Sequence, residues 1–137
     1  MNNLRIAKPL EREYPAYAGM YIDLLPDDEL VIQHFENNLH KVKSYISSLP
    51  YEKLEFRYAE NKWTIKEILV HVIDDERIYA YRALRIARND KTSLPGFEQD
   101  DYVPYSRANE RALEDIFEEY ESVRKASLTL VKSFTQK

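Results

Sequence analysis

KWTIKEILVHVIDDERIYAYRALRIARND, residues 62–90, is the stretch on which the fold reading turns. Thr64 and Glu67 stand in the spacing of a capping box, where each side chain satisfies the other residue's free backbone N–H at the start of a helix. Behind that start, Ile65, Ile68, Leu69, Val72, Tyr79, Ala80, Ala83 and Ala87 recur with helical period, until Asn89, Pro95 and Gly96 stop the pattern. The spacing predicts a helix over about 64–88, roughly six or seven turns long.

Working outward, Val31, Phe35, Val42, Tyr45, Ile46 and Leu49 form an apolar stripe, with acidic residues ahead of it and Pro50 behind, so a first helix is expected over about 27–48. Leu113, Ile116, Phe117, Tyr120, Val131 and Phe134 make a third stripe, predicting a helix over about 107–134. Residues 51–62 lack periodicity and read as a connecting loop, and residues 89–105 as an acidic, aromatic loop long enough to border a pocket. Residues 1–26, with Pro9, Pro15 and Pro26 among Tyr14, Tyr17 and Tyr21, read as an irregular arm that packs its rings onto the body. The expected fold is all-α: a single domain over 1–137 built as an up-and-down bundle, with three long helices evident.

Composition narrows the chemistry. Hydrophobic residues make 44% and charged residues 32% of 137 residues, a mix suited to a helical globular domain rather than a disordered one. The chain has no cysteine, so disulfides, thiolate nucleophiles and Cys zinc sites are excluded, and any metal must be held by His and carboxylates. A net charge of −4 argues against nucleic acid and anionic membranes as partners. No apolar run approaches a signal peptide core or a membrane span, which points to a cytoplasmic location.

On helix two, Thr64, Glu67, His71, Asp75, Ile78 and Arg82 fall along one narrow line beside the apolar stripe, with His71 at its centre. An imidazole there can reach a pocket as a metal donor. Asp75, one turn on, could bond its second ring nitrogen or serve as a further ligand. The bland reading is a packed histidine at a core edge. Glu76 falls within the stripe and needs a partner, for which Arg124 on the third helix is the candidate. His34 is the other imidazole that could join a metal site, whereas His40 points to the wet face. There is no Gly-rich phosphate loop, no G-x-S-x-G and no H-E-x-x-H.

Trp63, Thr64, Glu67 and His71 resemble the signature of the DinB-like family: a Trp, a capping Ser or Thr, a Glu, then a His on helix two. The arm at 9–26, the loop at 94–106 and the helix at 110–130 are similar to one branch of it, so the resemblance covers nearly the whole chain. It implies a four-helix bundle, often a homodimer, with nickel or zinc held by three histidines. His71 matches the first of these; the other two belong to an H-x-x-x-H pair on a final helix that has no counterpart here, so the metal site is incomplete in this chain. The activity implied is a thiol-dependent S-transferase or a related hydrolase or isomerase, with a low-molecular-weight thiol and a small electrophile as partners. The alternative is a non-enzymatic, dimerising bundle without metal.

Overall fold

A computed structural model describes residues 4–134. It is all-helical, with no strand among the described residues: α1 (Gly19–Ile22), α2 (Val31–Ser47), α3 (Ile65–Ala87), α4 (Gln99–Ser106) and α5 (Leu113–Lys132). The three long helices are the three expected ones, with later starts: α2 begins four residues after 27 and α5 six after 107. Each start is displaced by a turn that precedes it. Asp28 accepts the Leu30 N–H ahead of α2, and a 3-10 turn at Ala108–Glu110 precedes α5.

α5 packs against both α3 and α2. Leu69, Val70 and Ile73 of α3 meet Ile116, Phe117, Tyr120 and Val123 of α5, and Leu39 and Ile46 of α2 close the cluster. Ile73 and Ile116 are wholly buried, so truncating either to Ala costs about 2–5 kcal/mol. Leu54, from the stretch expected to be a connecting loop with some aromatic packing, is also in this core. A 3-10 turn at Tyr51–Lys53 brings it there, and its carbonyl accepts the Lys66 N–H at 3.2 Å.

Three expectations need correction. The arm at 1–26 is not wholly irregular, since its described part holds 3-10 turns at Glu11–Glu13 and Ala16–Ala18 before α1. Of the three rings expected to pack onto the body, Tyr17 and Tyr21 stand exposed and Tyr14 is half-buried. The loop at 89–105 likewise contains most of α4, which closes against α3. The third concerns the face α3 buries. The buried side runs through Lys66, Leu69, Val70 and Ile73, while Ile68, Val72, Tyr79 and Ile86 are 43%, 38%, 59% and 71% exposed. The apolar pattern of α3 is wider than one helix contact, and α5 covers only one of its two edges.

Candidate metal and pocket site on α3

The capping box sets the start of α3. Thr64 N–H donates to Glu67 Oε2 at 2.8 Å, and Glu67 N–H donates to Thr64 Oγ1 at 3.1 Å. The box is tied outward: Thr64 Oγ1 donates to Asn109 Oδ1 (2.7 Å), while Asn109 Nδ2 (3.0 Å) and Arg57 Nη2 (2.7 Å) both donate to Glu67 Oε1. Burial by itself would raise Glu67, but Arg57, the Thr64 N–H and Asn109 outweigh it and hold the carboxyl below its ordinary range. Lys66 beside it is 1% exposed, and its ammonium donates to Glu55 at 2.7 Å. These ties fix the axial position and rotation of the first turn, and so the direction in which the later turns of α3 present their side chains.

His71 comes next on that line. Its ring lies 4.8 Å from the Trp63 ring, tilted by 55°. Nε2 is 3.3 Å from Asp75 Oδ2, and Asp75 Oδ1 is buried without a hydrogen-bond partner among the described residues. An imidazole beside a carboxylate oxygen closed to solvent is a donor pair suited to a cation or to a proton. On the neighbouring edge of the helix, Asp74 shares a small recess with His71, Phe97, Tyr102 and Ser106. Burial raises Asp74, against the lowering pull of Arg77. Arg77 also holds Glu119, which Arg111 engages at 2.6 Å. Burial would raise Glu119, yet these two guanidiniums hold it below its ordinary range.

The other sequence candidates fall elsewhere. His34 is engaged at the start of α2, its Nε2 2.8 Å from Asp28 Oδ2. Glu76 is taken by Arg124 as expected: Nε donates to Oε1 at 3.0 Å and Oε2 at 3.1 Å, and Nη2 to Oε2 at 2.9 Å. Arg124 further donates to the Phe35 carbonyl at 2.6 Å and lies 3.8 Å from the Phe35 ring centre, so it joins α2, α3 and α5. Arg82 donates to the Pro95 carbonyl at 3.1 Å and stands over the rings of Tyr79 and Phe97. Sequence reading missed Asp74 and Asn109. Asp74 was visible as an acid three residues beyond His71, but Asn109 is brought to α3 only by the chain fold.

His71 and Asp75 are the two groups on this line with metal-donor chemistry, and Asp75 Oδ1 accepts no hydrogen bond among the described residues. Open zinc sites use about three protein ligands, and among the described residues no group of three His, Cys, Asp or Glu converges.

Comparisons place the chain. A protein of Oceanobacillus iheyensis named "Putative metal-dependent hydrolase" is 29% identical over 73 residues, which span 53% of this chain and 42% of that protein. No solved structure gives a significant match. The model of the DinB superfamily matches residues 34–137, a span holding all three long helices but for the first turn of α2, together with Trp63, Thr64, Glu67 and His71. The chain belongs to the DinB superfamily.

Proposed function

We propose that this chain works in a divalent-metal-dependent enzyme, with His71 and Asp75 as metal donors and a water or small thiol as nucleophile. The reading covers a hydrolase or a thiol-dependent S-transferase acting on a small electrophile. The observation that carries it is the buried Asp75 Oδ1 beside His71, without a hydrogen-bond partner among the described residues, since leaving such an oxygen unsatisfied is costly unless something occupies it in the working protein. The named activity of the matched relative supports the metal, not the reaction. Nickel or zinc, when bound, would supply Lewis acidity to its nucleophile. Trp63 would fix the imidazole ring, and the recess under Phe97 and Tyr102 would limit water.

The remaining donors would come from outside the described residues, approaching along the exposed stripe Ile68, Val72, Tyr79 and Ile86, which flanks the His71–Asp75 line. Calorimetric titration of the protein with Zn²⁺ and Ni²⁺ tests the donors. His71→Ala and Asp75→Asn are each expected to weaken binding by about tenfold or more. Metal bound with equal affinity by His71→Ala would sink the reading.

The same stripe favours a second reading, a homodimer that pairs these faces and needs no metal. Metal content separates the two: a dimer free of stoichiometric metal after growth in zinc- and nickel-supplemented medium supports the second.

A further inference from the structure

A cleft of about 290 Å³ opens on α3 beyond the His71 recess, between Arg77, Ile78, Tyr81 and Arg82 on the helix and Phe97 and Tyr102 opposite. Phe97 and Tyr102, whose ring centres lie 5.3 Å apart with the planes tilted by 51°, wall both spaces. The lining is apolar and aromatic, includes two arginines and has no acidic residue. In a chain of net charge −4, that is a local reversal of sign.

The two arginines are not equivalent. Arg77 is spent on Asp74 at 3.7 Å and on Glu119. Arg82 has no carboxylate within ion-pair distance among the described residues, and of its five N–H groups the Pro95 carbonyl takes one. Two aromatic rings and that carbonyl hold the guanidinium in place without neutralising it. A pre-positioned guanidinium with free donors at the rim of an apolar slot matches a carboxylate in geometry and charge. A void of roughly 150 Å³ accepts a benzene ring, so the cleft has room for a single ring with its charged group.

We propose that this cleft is a receptor for a small, flat carboxylic acid, with the carboxylate on Arg82 and the ring against Phe97 and Tyr81. Tyr81 offers its ring as a wall, while its hydroxyl accepts from Arg85. The proposal does not depend on metal at His71, and its test uses metal-free protein.

Benzoate is the probe, titrated into EDTA-treated protein while backbone amides are followed by two-dimensional NMR. Gly96 lines the cleft and Gly19 lies in the arm, so the chain's two glycines give a reporter and an internal control. Expected is a saturable shift of Gly96 and not Gly19, with a Kd of roughly millimolar order. Benzyl alcohol, the same ring without charge, should bind at least about tenfold more weakly, a comparison that needs no variant. Arg82→Gln should lose benzoate to a similar degree, and Arg82→Lys should recover part of it. The proposal is overturned if Gly96 does not respond to benzoate, if benzyl alcohol binds as tightly, or if folded Arg82→Gln binds benzoate unchanged. Failure here leaves the metal titration of His71 untouched, and failure there leaves this result standing.

Discussion

Glu76 and Arg124 lie at the junction of three helices, each nearly closed to water, so they show what a single residue can carry. Arg124→Met alone leaves a buried carboxylate without its partner and is expected to cost about 3–5 kcal/mol in urea unfolding. The double variant Glu76→Leu with Arg124→Met should cost less than the sum, since no charge is left stranded; additive losses would show that the two do not act as a pair. Asp74 works in the opposite sense. Its folded pKa is raised by burial, so the stability linked to it is fully present below the ordinary Asp range and is lost as pH rises through the raised value. Asp74→Asn is therefore expected to gain a few tenths of a kcal/mol at pH 7, small because the group is partly screened. That gain should vanish near pH 4, and a loss greatest at pH 7 would contradict it. Glu76 needing Arg124 was legible in sequence, because an acid inside an apolar stripe demands a cation at matching depth. Asp74 was not, because its raised pKa comes from burial under an element whose position the spacing of α3 does not encode.

At the scale of the element, α3 was the best-read part of the chain, and its two ends explain why. Both are local. Thr64 and Glu67 close the first turn within four residues. At the other end, Asn89 adopts φ 57° while its N–H bonds to the Ile86 carbonyl and that of Asp90 to the Arg85 carbonyl, a left-handed termination that Asn tolerates well. Thr64→Ala, which loses the cap and the tie to Asn109, is expected to destabilise by about 1–2 kcal/mol. Asn89→Val, a β-branched residue in a left-handed conformation, should cost about 1–2 kcal/mol, whereas Asn89→Gly should be close to neutral. Thermal unfolding of the three variants checks the set, and a neutral Asn89→Val would show that the end of α3 unwinds freely. The start of α2 was read too early because the acids at 27–29 look like a first helical turn. In the fold they form the turn before it, with Glu29 at φ 60°.

For the whole molecule, acid is the informative stress. Glu67 and Glu119 both sit below their ordinary range in the folded chain, so their contribution is complete above that range and is lost as pH falls through it. Wild-type unfolding free energy should thus fall between about pH 5 and pH 3, and Glu67→Gln should flatten part of that fall while lowering stability at pH 7. An unchanged acid limb in Glu67→Gln would remove Glu67 from the account. The exposed stripe on α3 is the second property of the whole. Ile86→Lys is expected to leave unfolding within about 0.5 kcal/mol of wild type, since Ile86 is 71% exposed, while reducing any self-association seen by sedimentation.

What the sequence by itself determined is what depends on neighbours along the chain: three long helices, their caps and breaks, the all-α class, and the line that places His71, Asp75 and Arg82 on one side of α3. Periodicity and capping are properties of residues three and four apart, and they survive any tertiary arrangement. Tertiary structure alone decided which edge of the wide apolar face of α3 is covered, and so why Ile68, Val72 and Tyr79 are left outside while Lys66 is shut in. It also decided that Phe97 and Tyr102 come down over the Asp74 side of the helix, and that Arg82 stands at a cleft without a carboxylate among the described residues. These depend on where α5 and the segment before α4 lie in space. Burial, and with it the chemistry of each charged group, is set by contacts between residues far apart in the chain.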